Sequence, residues 1–265
     1  MPNTTPPATL RIDRDGEIAW IVADNPARMN ALTAAMWKAL PGLLTEAEGD
    51  DAIRVIVLRG AGKRTFSTGA DISEFESARS GDRAEEYNAL NHTAFSALSN
   101  CTKPTISMIH GFCLGGGLGL ALATDIRLAD EKAEFAIPAA KLGLGYNARW
   151  MPPLLAAVSP SHAKEMLFTG RRFKVAEAVS MGLVNRIVEA DNIEQSTRAL
   201  AKEIAANAPL TIRAAKHVID EMIRHPETPD MVALDAATAA CFDSDDYAEG
   251  RRAFLEKRKP QFQGR

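Results

Sequence analysis

The sequence predicts an α/β fold followed by a helical carboxyl-terminal portion. Short runs typical of buried strands alternate with helical stretches over residues 9–190, and glycine-rich turns follow several of the strands. After about Asp191 the strand signals stop, and only helical periodicity remains. Strands that alternate with helices in this way indicate crossover connections between parallel strands.

The composition is that of a globular chain with a sizeable core. Of the 265 residues, 46% are apolar and 25% are charged, and the formal net charge of −3 argues against a nucleic-acid surface. No apolar run has the length that crosses a bilayer, so no membrane partner is predicted. The three cysteines, Cys101, Cys113 and Cys241, are scattered and odd in number, which favours a reducing compartment. We therefore expect a cytoplasmic protein.

The amino-terminal elements follow from local pattern. Residues 1–8 are polar and proline-rich, and they predict a disordered tail without the features of a targeting segment. Thr9–Asp13 and Glu17–Val22 alternate in polarity around a turn and predict a hairpin. Thr33 is a suitable N-cap for a helix in which Pro41 predicts a kink or an early break. The apolar face of that helix comprises Met36, Leu40, Leu43, Leu44 and Ala47.

The remaining elements continue the alternation and then become wholly helical. Ser159 and Pro160 provide an N-cap and a first-turn proline for a helix that ends near Phe168. The central predictions are strand Ile53–Leu58, helix Asp82–Ser99, strand Thr105–Ile109, helix Gly115–Ala123 and strand Asp125–Ala129. The predicted carboxyl-terminal helices are Asn192–Asn207, Leu210–Arg224, Thr228–Phe242 and Asp245–Lys259.

Two glycine-bearing segments carry the chemistry that the residues suggest. Phe66–Ile72 is the first, and His110–Gly117 runs directly into a helix as the second. Successive glycines before a helix leave backbone N–H groups that favour a phosphate, a carboxylate or a developing oxyanion. Glycines at such a turn also serve packing alone, and these residues leave both interpretations open. The spacing matches no dinucleotide, P-loop, serine-hydrolase or zinc-protease pattern, so no metal site is predicted.

In their order along the chain, these segments resemble the crotonase superfamily, the enoyl-CoA hydratase/isomerase family. The resemblance covers nearly the whole sequence. Further matching segments are Asp125–Ala129, Phe135–Pro138, Lys141–Gly143, Phe168–Arg171, Ala176–Ala178, Gly182–Asn185 and Phe254–Pro260.

The resemblance implies a spiral of ββα units over residues 9–190 that binds acyl-CoA. It also implies a helical oligomerisation region over residues 191–265 that builds trimers, usually paired into hexamers. Coenzyme A would enter as part of the substrate thioester, with no permanently bound cofactor.

By position, the resemblance makes the backbone N–H groups of Ala70 and Gly116 an oxyanion hole for the thioester. Each such donor is typically worth about 3–4 kcal/mol of activation barrier. Backbone around the first segment would contact coenzyme A, and basic residues would approach its phosphates. For the basic residues, a solvated helix end is the simpler interpretation. The coenzyme A candidates are Ser67, Gly69, Ala70, Asp71, Ile72 and Gly115, with Lys63, Arg64, Lys257 and Arg258 for the phosphates.

The sequence departs from the hydratase pattern at both proton-carrying positions. Hydration uses two glutamates, and their positions are Gly119 and Ala139 here, neither of which can carry a proton. Tyr146 and His92 are the candidate replacements, although packing for the first and solvation for the second are simpler interpretations. Other titratable candidates near the acyl chain are Glu74, Glu76 and Tyr87.

Four functions therefore stay open: enolate chemistry by decarboxylation or isomerisation, hydration of an unusual substrate, and binding of acyl-CoA without catalysis. Asp71, Asp125, His110, Arg171 and Arg172 are expected to be structural.

Overall fold

Two β-sheets organise the chain in the computed structural model, which describes residues 7–71, 74 and 82–265. The larger sheet has the order β1-β2-β3-β5-β7-β10, and the smaller has the order β4-β6-β8-β9. The larger sheet contains β1 Thr9–Asp15, β2 Ile18–Asp24, β3 Val55–Gly60, β5 Thr105–Ile109, β7 Ile126–Asp130 and β10 Arg186–Val188. The smaller contains β4 Thr65–Ser67, β6 Phe112–Leu114, β8 Glu134–Ala136 and β9 Phe173–Lys174.

Helices cover the sheets and then form the carboxyl-terminal portion. The α-helices are α1 Ala34–Gly49, α2 Asp82–Ser99, α3 Gly116–Leu122, α4 Met151–Ala157, α5 Pro160–Thr169, α6 Val175–Ser180, α7 Ile193–Ala205, α8 Pro209–Arg224, α9 Met231–Phe242 and α10 Asp245–Glu256. Short 3-10 turns lie at Pro26–Arg28, Pro138–Leu142 and Ala148–Trp150. Within the described residues, no helix combines the length and the apolar composition that a membrane span requires.

Three consecutive pairs of strands each contribute one strand to the larger sheet and one to the smaller. The first strand of each pair, β3, β5 or β7, joins the larger sheet, and the next strand, β4, β6 or β8, joins the smaller. Neighbours within each of these sets run parallel. Among the strands of the described residues, β1 with β2 and β8 with β9 are the antiparallel pairs. This repetition is a spiral of ββα units, so the predicted fold class is confirmed. Trimerisation stays a prediction.

The inner strands of the larger sheet, β2, β3, β5 and β7, are buried on both faces because their side chains alternate between two hydrophobic clusters. Ala19, Ile21 and Ala23 of β2 belong to the main core, which also contains α1 and α3 residues. Ile18, Trp20 and Val22 point to the opposite face, where α7 covers them. A one-residue change of register would exchange these two sets, which is why the register is well specified.

The structure corrects several details of the sequence-based prediction. Helix α1 is unbroken through Pro41, so the expected early break is wrong. Burial of Met36, Trp37, Leu40, Leu44 and Ala47 on one face outweighs the local cost of the proline, which is about 3 kcal/mol. The strands of the smaller sheet have two or three residues each, and runs this short give no periodic signal.

The two termini differ from the prediction as well. The hairpin turn lies at Gly16 and Glu17, because Asp15 still pairs with Ile18. The last helix ends at Glu256 rather than at Lys259, since Lys257 takes a left-handed conformation with φ 55°. The chain then folds back, and Glu249 accepts a hydrogen bond from the backbone N–H of Gln261 at 3.0 Å. Most of the predicted 1–8 tail lies outside the described residues.

Candidate active site

The site is built where two strands of the smaller sheet end. β4 and β6 are parallel neighbours, with Thr65 opposite Phe112 and Ser67 opposite Cys113. Parallel neighbours end at the same edge of a sheet, so the segments after Ser67 and after Leu114 lie together. The backbones of Ala70 and Gly116 are consequently adjacent: a Cβ built on Gly116 would lie 3.7 Å from the amide nitrogen of Ala70.

Gly69 permits this close approach of the two segments. Its φ is +93°, and a Cβ at this position would lie 2.9 Å from both the Gly116 nitrogen and the Leu114 oxygen. Neither the conformation nor the space suits a residue with a side chain. The backbone N–H of Leu32 donates to the Gly69 oxygen at 2.7 Å, and that of Asp71 donates to the Leu32 oxygen at 3.0 Å. These two bonds fix the peptide planes on either side of Ala70.

Two backbone N–H groups of the described residues have no acceptor: that of Ala70, which lies between these two bonds, and that of Gly116, at the start of α3. Among the described residues, neither the N–H of Ala70 nor that of Gly116 donates a hydrogen bond within the protein. Gly116 is the first residue of α3, where an intrahelical partner does not exist. Two adjacent unpaired donors at fixed positions can bind one oxygen atom that gains negative charge during a reaction.

The polar side chains of the turn hold its shape. The Ser67 hydroxyl is buried, donates to the Asn30 oxygen at 2.8 Å and accepts from the Gly69 N–H at 3.1 Å. Asp71 is also buried and lies 3.3 Å from the Arg28 guanidinium. These contacts position Ala70, and the side chains of Ser67 and Asp71 are thus engaged within the fold.

An aromatic wall of four side chains stands beside these donors. It consists of Trp37 from α1, Phe95 from α2, and Trp150 and Tyr146 from the segment before α4. Their rings pack edge to face, with centroid separations of 5.3, 5.5 and 5.7 Å in the order Trp37, Phe95, Trp150, Tyr146. A Cβ on Gly116 would lie 3.1 Å from Trp37 Cζ2, so the wall begins at the donor pair itself.

The wall occupies the space beside the first of the two positions that lack a glutamate. A Cβ built on Gly119 would lie 2.7 Å from Phe95 Cζ and 2.9 Å from Phe95 Cε1. Even alanine would displace the ring, and a glutamate would displace it further. Ala139, at the second position, is half-buried in the turn Pro138–Leu142 and packs against the core.

The two candidate proton carriers, Tyr146 and His92, have different surroundings. Tyr146 ends the aromatic wall, and burial raises the pKa of its hydroxyl to about 12. The phenol is therefore neutral at pH 7, where it can donate a proton but cannot accept one. His92 lies one helical turn before Ser96 in α2, and its Nδ1 is 3.4 Å from the Ser96 hydroxyl. It lines a cavity next to Gly119 that Phe95 and Trp150 also line.

The remaining titratable candidates have other places in the fold. Glu74 accepts a hydrogen bond from the Ala34 N–H at 2.8 Å and so caps the start of α1. Tyr87 is buried within the main core. Ile72 and Glu76 lie outside the described residues.

The basic candidates for the coenzyme A phosphates lie at the surface, each in its own surroundings. Lys63 lies 3.9 Å from Asp191, and Lys257 caps the end of α10. Arg64 is exposed. Arg258 forms ion pairs at 2.6 Å with Glu249 and with Glu256, so its charge is balanced locally.

The residues expected to be structural do make internal contacts. His110 is buried with its Nδ1 3.1 Å from the Asp130 carboxylate, and Asp125 accepts from Lys216 at 2.8 Å. Arg171 pairs with Glu165 and Glu177, and Arg172 pairs with Glu134.

Two features were not predicted from the sequence: the aromatic wall and Arg149, the basic residue next to it. Trp37, Phe95 and Trp150 come from distant segments, and each fits equally well with ordinary core packing. Arg149 is in a turn that sequence reasoning noted only for Tyr146. The one usable signal is the composition of that turn, in which Tyr146, Arg149 and Trp150 lie within five residues.

The fold and the donor pair define a protein of the crotonase superfamily, and comparison with known proteins supports this assignment. The model of the family described as enoyl-CoA hydratase/isomerase matches residues 13–265, so the chain belongs to that family. The family acts on acyl-CoA substrates, and this chain is accordingly an acyl-CoA enzyme of the family.

Individual relatives cover nearly the full length. The chain is 30% identical to a short-chain-enoyl-CoA hydratase of Clostridium acetobutylicum, over 94% of this chain and 95% of that protein. It is 31% identical to a carnitinyl-CoA dehydratase of Proteus mirabilis, over 97% and 99% respectively. A solved enoyl-CoA hydratase/carnithine racemase from Magnetospirillum magneticum is 36% identical and superposes with a TM-score of 0.93, covering 97% of this chain and 96% of that one.

Proposed function

We propose that this protein binds acyl-CoA with the thioester oxygen between the N–H groups of Ala70 and Gly116, and that it stabilises an enolate there. The observation that supports this proposal is the pair of adjacent backbone donors without acceptors. Negative charge moves onto the thioester oxygen when an enolate forms, and donors already in place need no reorganisation to stabilise it. Coenzyme A enters with the substrate and leaves with the product.

Among the reactions of an enolate, loss of carbon dioxide suits these residues well. In that reaction the bond between the α-carbon and a carboxylate breaks, and its electron pair enters the enolate. No base is needed for this step, which agrees with Gly119 and Ala139 at the glutamate positions. The α-carbon then takes a proton, for which the neutral hydroxyl of Tyr146 is the candidate donor, with water as the alternative.

Hydration is the second candidate function, because a matched relative is a short-chain-enoyl-CoA hydratase. It would require activation of water by groups other than the usual glutamate pair, and Tyr146 and His92 are the candidates for these roles. Isomerisation would need one proton carrier. Binding of acyl-CoA without turnover is the remaining alternative.

The experiment is a parallel assay of decarboxylation, with methylmalonyl-CoA, and of hydration, with crotonyl-CoA. Gly116→Pro removes one donor, and Gly116→Ala is its matched control because it retains the N–H while crowding Trp37 in the same way. Proline is tolerated at the first position of a helix. We expect turnover to fall about 10²–10³-fold in Gly116→Pro and much less in Gly116→Ala.

The outcomes separate the alternatives. Carbon dioxide release that depends on the Gly116 N–H supports the proposal, whereas crotonyl-CoA hydration with the same dependence favours the second candidate. Binding of both thioesters without turnover, or turnover that Gly116→Pro leaves unchanged, would reject an enolate enzyme with this oxyanion hole.

We also propose assembly into a homotrimer, or into a hexamer built from two trimers, through the carboxyl-terminal helices. Large apolar side chains of α9 and α10 are exposed, with Val232 81%, Phe254 84% and Leu255 81% accessible in the single chain. An exposed apolar surface of this kind favours an interface between subunits. Sedimentation equilibrium tests the stoichiometry, and a monomer at micromolar concentration would reject it. The cytoplasmic location stays a prediction.

A further inference from the structure

His110 and Asp130 form a buried pair where the chain crosses from the larger sheet to the smaller. β5 ends at Ile109 and β6 begins at Phe112, so His110 lies within the crossover itself. His110 and Asp130 are 3% and 2% exposed, and His110 Nδ1 lies 3.1 Å from Asp130 Oδ2. Because an ionised carboxylate has no proton to donate, the Nδ1 of His110 is the donor in this hydrogen bond.

The Asp130 carboxylate also accepts hydrogen bonds from the backbone. Its Oδ2 accepts from the Gly111 N–H at 3.1 Å, and its Oδ1 accepts from the Lys132 N–H at 3.0 Å. Three donors therefore offset the cost of burying this carboxylate. Through them Asp130, the last residue of β7, fixes both the ring of His110 and the peptide that follows it.

The crossover is joined to the strand that leads to the first donor of the site. The His110 oxygen accepts from the Phe66 N–H at 2.7 Å, and Phe66 lies in β4, four residues before Ala70. Gly111 takes a φ of +53°, and its backbone lies so close to the Arg64 oxygen that a Cβ has no room. A movement of the crossover therefore carries β4 with it or breaks these contacts.

The crossover also leads directly into the strand that carries the second donor. The Gly111 oxygen accepts from the Glu134 N–H at 3.0 Å, and the Gly115 N–H donates to the Ala136 oxygen at 2.8 Å. Both ends of this stretch are thus attached to β8, and Gly116 follows at once. The position of the crossover is therefore passed to the second donor through one short, hydrogen-bonded strand.

We propose that His110 and Asp130 are positioning residues, which set the separation of the Ala70 and Gly116 N–H groups through β4 and β6. The inference rests on the proposed function, because it takes these two groups to bind the thioester oxygen. Donors act on a developing charge only at hydrogen-bond distance, and a displacement of about 1 Å can cost about 10²-fold in rate. The pair thus acts on the reaction without touching the substrate.

A purely structural pair is the alternative, since buried hydrogen bonds of this kind stabilise folded proteins. The two roles differ in what they do to a bound thioester. A structural pair changes the free energy of unfolding alone, whereas a positioning pair also changes the hydrogen bonds to the thioester carbonyl. Those hydrogen bonds weaken the C=O bond and lower its stretching frequency, which isotope-edited infrared spectroscopy measures in the folded complex.

The test compares His110→Leu with His110→Asn, because the two new side chains have nearly equal size and shape. Asparagine retains an N–H donor close to the position of Nδ1, and leucine does not. For each variant we measure turnover of methylmalonyl-CoA or crotonyl-CoA, whichever the enzyme converts, and the carbonyl frequency of bound propionyl-CoA labelled with carbon-13 at the carbonyl. We expect His110→Leu to lower kcat about tenfold or more, with KM changed less than about threefold. Its carbonyl frequency should move towards that of free propionyl-CoA, and His110→Asn should retain most of both properties.

Asp246→Asn is the matched control. Asp246 is also a buried carboxylate that accepts two backbone N–H groups, but it lies in α10. Its replacement should lower the stability and leave both kcat and the carbonyl frequency unchanged. His110→Gln takes the place of His110→Leu should that variant fail to fold, since its amide nitrogen lies one methylene farther from the backbone.

Gly116→Pro separates failure of the inference from failure of the proposed function. If Gly116→Pro shifts the carbonyl frequency and folded His110→Leu or His110→Gln does not, the inference is overturned and the proposed function stands. An equal loss in His110→Leu and His110→Asn would also overturn it, because the hydrogen bond to Asp130 would then have no part in the effect. If Gly116→Pro leaves the carbonyl frequency unchanged, the proposed function fails together with the inference.

Discussion

The contact between Gly119 and Phe95 provides a direct test of how the site is packed. A Cβ at Gly119 would meet Phe95 Cζ at 2.7 Å, whereas ordinary contacts begin at 3.4 Å. The ring cannot withdraw freely, because Trp37 packs against it on one side and Trp150 on the other. We therefore expect Gly119→Ala to lower the free energy of unfolding by about 1–3 kcal/mol, as overpacked cores do.

The matched control is Gly42→Ala, which places the same substitution inside α1. A Cβ there has no atom within 4 Å, so only the helix propensity changes. That change should stabilise the protein by up to about 1 kcal/mol. Both variants are compared by urea denaturation at one protomer concentration, because assembly would otherwise alter the apparent stability.

A double-mutant cycle with Phe95→Ala completes the test. Phe95→Ala alone should cost about 3–5 kcal/mol, since it removes a buried ring. In that background Gly119→Ala should no longer destabilise, which gives a coupling energy of at least about 1 kcal/mol. The reasoning is refuted if the free-energy changes of Gly119→Ala and Phe95→Ala add within about 0.5 kcal/mol, or if Gly119→Ala changes the stability as Gly42→Ala does. Phe95 would then not fill the space beside Gly119.

Three further predictions concern the surroundings of the site. Arg127→Ala should lower the free energy of unfolding by about 3 kcal/mol in urea denaturation, because its buried guanidinium donates to three backbone oxygens, and an effect under 1 kcal/mol would contradict this. Burial raises the pKa of Tyr146 to about 12, so the protein should lose stability as the pH rises from 10 to 12. A denaturation series at these pH values should show a weaker loss in Tyr146→Phe, and equal slopes would count against the assignment. The Arg258 guanidinium holds the pKa of Glu249 well below its usual range, so Glu249→Gln should free the chain end and speed tryptic cleavage near Arg258, as followed by mass spectrometry. Unchanged cleavage would mean that other contacts hold the chain end.

The sign of the Tyr146 effect follows from proton binding. A raised pKa means that the folded protein retains a proton that the unfolded chain releases near pH 10. The stabilisation is complete below that pH and is lost as the pH rises through the folded pKa. Replacement by phenylalanine removes this contribution and leaves the ring packing against Trp150 largely in place.

The turns that carry the donor pair are marked in the sequence because their signals are local. Gly69 and Gly115–Gly117 mark positions where the backbone must take unusual conformations or approach another segment closely. Their order along the chain, with the segments between them, resembles the crotonase superfamily. Comparison with known proteins confirms that membership, while the role of Ala70 and Gly116 stays a proposal.

The second half of the site depends on contacts between distant segments. Trp37, Phe95 and Trp150 belong to three elements, and nothing in the spacing of any one element indicates that their rings meet. The same applies to Arg149 and Arg224, which line one cavity from different parts of the chain. The periodicity of apolar residues indicates which face of an element is buried, but it does not indicate which other element packs against that face.

The sequence alone thus determined the α/β class and the helical carboxyl-terminal portion, and it predicts the turns of the donor pair and a site without glutamate at Gly119 and Ala139. These properties depend on residue identity at single positions and on local pattern, both of which can be read directly from the sequence. Only the tertiary structure decided what lies against Gly119: the ring of Phe95, and a cavity that Arg149 and Arg224 also line. Side chains distant in the sequence meet there because the spiral of ββα units brings α1, α2 and α3 to one edge of the smaller sheet.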